Sequence, residues 1–495
     1  MKKYILAIDA GTTGITLILF DKDAHVVKKV YSEFSQIYPK PGWVEHDPIE
    51  IWETTLSLLK KITNDIKVKS IASIGITNQR ETTVIWNKST SRPIYNAIVW
   101  QCTRTSSFCS KLKKRGYSKE FSSKTGLVID SYFSGTKINW ILNNVDNARE
   151  MSNNGELAFG TIDTWLIWNL TNGKNHLTDH TNASRTLLYN IDSKKWDNEL
   201  LDILEISPNI LPKVQSSSSN FGIIDISILG TEIPISGVAG DQQSALYGQL
   251  AFQNGMSKCT YGTGCFMLTN TGKSRINSSN GLLTTLACDS WGNPTYALEG
   301  SVFIGGAVIQ WLRDELNMID NASETNDIAN SVDSSNGIYI VPAFTGLGAP
   351  YWDMDARGII VGITRDTNSN HFIRASLESI AYQVKDLFKS IQLDLNNKSL
   401  SLQVDGGATQ NDFLMQFQSD ILNLDVKRPK NIETTALGAA LLAGLSVKFW
   451  ESPDDFNNIV EIDKIFTSNM NTEIRTSLSL GWKDAVSRTL TNKGK

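Results

Sequence analysis

Asp9-Ala10-Gly11-Thr12-Thr13-Gly14 closes an apolar run over residues 4–8, and half a chain later Tyr261-Gly262-Thr263-Gly264 repeats the same glycine-hydroxyl pattern. Each turn sits between two stretches whose composition reads as strand. Glycine lets the backbone approach a ligand closely, threonine adds a hydroxyl, and exposed backbone N–H groups in such a turn form a nest for an anion. Two nests in two halves predict a nucleotide phosphate chain held between two lobes. Neither turn is a Walker loop, because no Gly-Lys-Ser/Thr follows.

Working outward, residues 4–9, 15–20 and 26–31 read as successive strands joined by tight turns. Helical spacing begins at Pro48, with Asp47 as N-cap and proline in the first turn. Residues 71–77 and 82–86 read as strands flanking Asn78-Gln79-Arg80-Glu81. Helices are expected around 136–142, 162–169 and 197–204, and the serine run 216–219 is expected to be a surface loop. In the second half, 258–261, 265–269, 282–288, 295–299 and 400–404 read as strands, and 305–316 and 371–391 as helices. Strand, hairpin and helix alternate in both halves, which predicts an α/β protein of two similarly built lobes with a central cleft. The division is placed near Gly248, giving lobes 1–248 and 249–495. The tail beyond Ser468 is polar and carries no motif.

The 495 residues predict two or more domains, and 41% hydrophobic with 20% charged residues is ordinary for a soluble globular chain. A net charge of −4 with scattered Lys and Arg excludes a nucleic-acid footprint. Cys102, Cys109, Cys259, Cys265 and Cys288 show no CxxC spacing, and their odd number predicts reduced thiols and a cytoplasmic protein. The apolar stretch 436–445 is too short to cross a bilayer, so no stable membrane insertion is expected.

Several polar groups stand where chemistry is possible. Asp9, at the mouth of the first nest, suits a hydrated Mg²⁺, or equally bonds its own backbone as a turn aspartate. Asp241, in Gly237-Val238-Ala239-Gly240-Asp241-Gln242-Gln243, can accept a proton from an attacking hydroxyl, or cap a helix. Arg80 and Glu81 pair a donor fork with an acceptor, which suits a polyhydroxylated ligand, although a solvated hairpin with an incidental ion pair has the same sequence. Trp100 is either core or a wall against the carbon face of a polyol. Asp405-Gly406-Gly407, ending a strand before a helix, suits phosphate or adenosine. His176 and His180 have i, i+4 spacing, but their loop setting argues against a metal.

These residues together resemble the FGGY carbohydrate kinases over nearly the whole chain. The markers include NQRET at 78–82, GTIDTWL at 160–166, TDHTNASRT at 178–186, GDQQ at 240–243, YGTGCF at 261–266, QWLRD at 310–314 and VPAFTGLGAPYW at 341–352. NQRET and TNASRT are similar to the members that act on glycerol rather than on a pentulose. The resemblance implies two actin-like (ribonuclease H-like) lobes, transfer of the ATP γ-phosphoryl group to the 3-hydroxyl of glycerol, and a role in glycerol catabolism. It implies that Arg80, Glu81, Tyr132, Asp241 and Gln242 hold the hydroxyls, that Trp100 and Phe266 line the carbon side, and that Asp241 is the base. It further implies that Thr12, Thr13, Gly14, Thr263, Gly306, Gln310, Gly407 and Asn411 hold the nucleotide, with Asp9 and Asp241 near Mg²⁺. A homodimer or homotetramer is also implied. The competing expectations are a kinase for another polyol or ketose, and a weakly active or non-catalytic actin-like ATPase. One departure bears on the second: Thr16 stands where the family pattern has an arginine facing the phosphates.

Overall fold

The computed structural model describes residues 2–396 and 400–491, and the chain divides into two compact units. The first unit comprises Met1–Phe252, Thr284–Tyr296 and Thr434–Ile459; the second comprises Gln253–Leu283, Ala297–Glu433 and Val460–Lys495. The first long segment ends at Phe252. The two later returns of the chain into the first unit are something a single division does not foresee.

In the first unit, β1 (Tyr4–Ala10), β2 (Gly14–Phe20), β3 (Val26–Glu33), β4 (Ile71–Asn78), β5 (Ser218–Ile223) and β6 (Pro234–Gly240) form a sheet in the order β5-β6-β4-β1-β2-β3. β1 runs antiparallel to β2 and parallel to β4, which is parallel to β6. Ile5, Leu6, Ala7 and Ile8 are all buried, as a central strand covered on both faces requires. One cover is the helix Pro48–Thr63, whose N-cap Asp47 accepts from Ile49 N at 2.8 Å and whose Ile51, Leu58, Leu59 and Ile62 are buried. The opposite cover comes from late in the chain: the helix Thr434–Ser446 is buried almost throughout and packs on β1, β4 and β6. It sits so close that a Cβ on Gly75 would overlap the Ala439 carbonyl, and one on Gly438 would overlap the Ser244 carbonyl.

A second sheet, chiefly of the second unit, holds β7 (Met256–Tyr261), β8 (Cys265–Gly272), β9 (Pro294–Val302, of which 297–302 belong to that unit), β10 (Ser401–Asp405), β11 (Val426–Pro429) and β12 (Ile462–Phe466) in the order β9-β8-β7-β10-β11-β12, with Leu283–Cys288 as the edge strand beyond β9. β7 is antiparallel to β8 and parallel to β10, and β11 is parallel to β10. This is the β3-β2-β1-β4-β6 arrangement again, so the duplicated turn is the visible part of a duplicated fold. In the helix Ser369–Asp394, Ile373, Leu377, Ile380, Val384, Leu387 and Ile391 are buried at the spacing the sequence predicted.

Three parts of the sequence reading are refined. Half of the serine run 216–219 is strand: Ser218 opens β5 and pairs with Gly237, because an edge strand needs backbone partners more than β-forming side chains. The polar tail contains the helix Thr472–Thr489, N-capped by Asn471. Its Trp482 is buried, stacked on Tyr382 at 5.1 Å, and donates to Asp386 Oδ2 at 2.7 Å. The strand expected over 82–86 is displaced to Val84–Asn87, because Thr82 turns back to donate to Gln79 Oε1 at 3.0 Å. All five cysteines are buried free thiols, and no helix among the described residues is long and apolar enough to cross a membrane.

Candidate active site

Parallel pairing sets Ala10, Asn78 and Gly240 abreast at the carboxyl ends of β1, β4 and β6. That edge is where ligands meet open α/β sheets, and it gathers Asp9, Arg80 and Asp241 from three distant stretches. The polar loop after β4 supplies Arg80, which is 2% exposed and held at φ +56°, an uncommon conformation for a side chain of this size. Its Nε lies 3.1 Å from Asp241 Oδ1 and 3.7 Å from Glu81 Oε1, and its Nη2 donates to the Tyr132 hydroxyl at 3.0 Å. Gly240 leaves room for this side chain: a Cβ there would stand 2.7 Å from Arg80 Cγ.

The capping role open to Asp241 goes instead to Gly240, the N-cap of the helix Asp241–Gly248. The Asp241 carboxylate accepts from Gln242 N at 2.7 Å and keeps 27% of its side chain exposed beside Arg80. Tyr132 meets the Trp100 ring edge-on at 5.6 Å, and Trp100 Nε1 donates to Thr12 Oγ1 at 3.0 Å. Trp100 is thereby tied to the first glycine turn. That turn is latched again by Gln79 Nε2 on Gly11 O at 3.2 Å and Gln36 Nε2 on Thr12 O at 3.1 Å.

Arg185 belongs to this cluster, although TNASRT was quoted for resemblance without a role for it. It is fully buried, donates from Nε to Glu81 Oε1 at 2.7 Å, and lies over the Tyr132 and Phe133 rings at 5.6 and 5.3 Å. A buried arginine needs an acid partner, but burial itself is not written in the sequence. Lys137, also missed, donates to Tyr132 O, and burial pulls its ammonium down to about 8. Gly14 proves to open β2, where a Cβ would crowd Ser32 O at 2.6 Å and the Tyr31 ring and hydroxyl at 2.7 Å.

Thr263, Phe266, Gly306, Gln310, Gly407 and Asn411 belong to the second unit. Phe266 lies on β8, paired with Thr260. The turn after β7 is latched to the start of the helix Ala307–Asp314 by Gly305 N on Thr263 O and Gly306 N on Gly262 O, both at 2.8 Å. Gln310 follows one turn into that helix and is exposed. Gly406, at φ +90°, passes so close to Tyr261 that a Cβ would stand 2.6 Å from its carbonyl, whereas a Cβ on Gly407 would meet nothing within 4 Å. Asn411 caps the helix Asp412–Leu422 through Leu414 N at 2.9 Å. The unit thus has its own glycine turn, helix start and open glycine, a set suited to phosphate.

The two histidines of the i, i+4 pair bond different partners. His176 Nε2 bonds Phe159 O at 2.7 Å and His180 Nδ1 bonds the Tyr189 hydroxyl at 2.8 Å, so each ring has its own partner.

Residues 4–248 match the N-terminal domain of the FGGY family of carbohydrate kinases, and residues 257–447 match its C-terminal domain. The chain belongs to the FGGY family. An FGGY relative from Caldanaerobacter subterraneus subsp. tengcongensis, named glycerol kinase, is 57% identical over 492 residues, covering 99% of both chains. Glycerol kinase 2 of Thermotoga maritima is 55% identical over 490 residues, again covering 99% of each. Among solved structures, Plasmodium falciparum glycerol kinase with ADP matches at a TM-score of 0.92 and 40% identity, covering 99% of this chain and 98% of that one. Lactobacillus acidophilus xylulose kinase matches at 0.87 and 24% identity, which speaks for the shared FGGY fold alone. The α/β architecture of duplicated, actin-like sheets is therefore that of the family.

Proposed function

We propose that this chain transfers the γ-phosphoryl group of ATP to the 3-hydroxyl of glycerol, giving sn-glycerol 3-phosphate. The observation that carries the reading is the cluster of buried Arg80 and Glu81 with half-buried Asp241 and Tyr132, flanked by Trp100. A small polyol needs donors and acceptors in alternation and one apolar side, and this cluster has both.

Phosphoryl transfer asks a protein mainly for positioning and charge neutralisation. The partly exposed Asp241 carboxylate accepts the proton of the attacking hydroxyl. Arg80, fixed between Asp241 and Tyr132, orients that carboxylate and donates to the neighbouring hydroxyls. Glu81, held by Arg185, accepts from a substrate hydroxyl, with Gln242 adjacent, and Trp100 faces carbon. The family resemblance assigns nucleotide contacts to Thr12, Thr13 and Gly14, and to Thr263, Gly306, Gln310, Gly407 and Asn411.

Asp9 and Asp241 fit a hydrated Mg²⁺. Their strands are separated by β4 alone, so the backbones stand roughly 10 Å apart, leaving room for carboxylates and water ligands. The ion would neutralise phosphate charge. The family resemblance further supports a cytoplasmic homodimer or homotetramer.

The test is ADP release with Mg·ATP across glycerol, dihydroxyacetone, erythritol, xylulose and no acceptor. Release that depends on glycerol, with glycerol 3-phosphate as product, is expected. Release equal with and without every acceptor would make the chain a bare ATPase. Asp241→Asn should abolish turnover while glycerol affinity stays within about tenfold, and near-normal turnover would remove Asp241 as base.

A further inference from the structure

Behind Asp241 lies a buried polar network to which the proposed chemistry assigns no part. Asp179 is fully buried and N-caps the single turn His180–Ala183. Its Oδ1 accepts from Asn182 N and Asn182 Nδ2, both at 2.9 Å; its Oδ2 accepts from Thr181 N at 2.9 Å and Ser217 Oγ at 2.6 Å. Every direction around the carboxylate is thus occupied, which makes it a fixed point. From that fixed point Thr181, itself fully buried, presents Oγ1 to the backbone N–H of Gly240 at 2.9 Å.

Gly240 is the last residue of β6 and the N-cap of the helix that begins with Asp241, and it has no side chain of its own to hold the junction. Glycine at a strand-to-helix corner also leaves the backbone freer than any other residue would. The Thr181 hydroxyl supplies the restraint from outside.

We propose that Thr181 is a positioning residue: its hydroxyl clamps the Gly240 peptide and so aims the Asp241 carboxylate at the acceptor hydroxyl, with Asp179 as the buried anchor. This rests on Asp241 being the base. Misplacing a reacting group by about 1 Å lowers rate by roughly a hundredfold, so a clamp one peptide away has leverage over turnover.

Thr181→Val keeps the shape and removes the acceptor; Thr181→Ser keeps the acceptor. The valine variant should lose ten- to hundredfold in kcat, with KM for glycerol and for ATP within about threefold, and the serine variant should recover to within about threefold of the parent. Unchanged kcat in the valine variant, or a serine variant as impaired as valine, overturns the proposal. Should the valine variant not fold, Thr181→Ala against Thr181→Ser makes the same comparison. An Asp241→Asn enzyme that turns over normally while Thr181→Val is still impaired would sink the base assignment instead.

Discussion

Thr16 is the residue whose identity most departs from what a phosphate-facing position asks for. It lies on β2, paired with Asp9 of β1 and with Tyr31 of β3. Gly14 shares its face, and the Tyr31 ring lies where any side chain on Gly14 would go. A tyrosine therefore covers the strand beside the first glycine turn where the family pattern places a long cation on residue 16. A guanidinium near developing phosphate charge contributes about 1–3 kcal/mol. Thr16→Arg should accordingly raise kcat/KM for ATP by about tenfold, read from initial rates at saturating glycerol. No gain, or a loss, would mean that the Tyr31 side of the strand already meets the need.

At the scale of elements, the helix Thr434–Ser446 shows how glycines decide packing. Gly438 faces Ser244 and Gly75 faces Ala439 with no room for a methyl group, and in each case the obstacle is backbone. Gly438→Ala should destabilise the protein by about 2–3 kcal/mol, because a backbone neighbour cannot swing aside as a side chain can. Urea unfolding checks this, and an unchanged midpoint would mean that the helix shifts freely. The same element marks the border of what the sequence conveys. Apolar runs, the Asp47 cap and the spacing from Ile373 to Ile391 made most strands and helices readable. Nothing in 434–446 tells which sheet its apolar surface covers, because that is tertiary pairing rather than period. Ser218–Ile223 and Thr472–Thr489 were missed for the same reason: a backbone partner at a sheet edge and a buried Trp482 outweighed polar composition. At the site, Arg80, Glu81 and Asp241 were readable as separate motifs. That they meet is a matter of parallel register, and that Arg185 joins them is a matter of burial.

Across the molecule, the first unit is assembled from three separated stretches of chain, and it holds buried groups that titrate against one another. Burial pulls His46 and His176 down to about 4, while their Nε2 atoms bond Gln36 Oε1 at 2.8 Å and Phe159 O at 2.7 Å. Unfolded, each would titrate near 6.5, so between about 4 and 6.5 the unfolded chain binds more protons and stability falls as pH falls. Each histidine accounts for about 3 kcal/mol across that window. Asp163 opposes them. Burial raises its carboxyl to about 6 against the pull of hydrogen bonds from Thr161 and Thr178, so its contribution is present in acid and is lost as pH rises towards 6. That loss is of similar size, about 3 kcal/mol, and cancels roughly one histidine. His46, His176 and Asp163 together contribute a fall of about 3 kcal/mol in unfolding free energy from pH 6.5 to pH 4, read by urea titration at fixed ionic strength, with His180, lowered by burial, adding to the fall and Glu378 and Asp386, raised by burial, opposing it. Asp163→Asn removes one opposing group and should make the fall steeper, whereas His176→Gln should make it shallower. If Asp163→Asn flattens the profile instead, Asp163 is charged in the folded protein and its hydrogen bonds, not its burial, set its state.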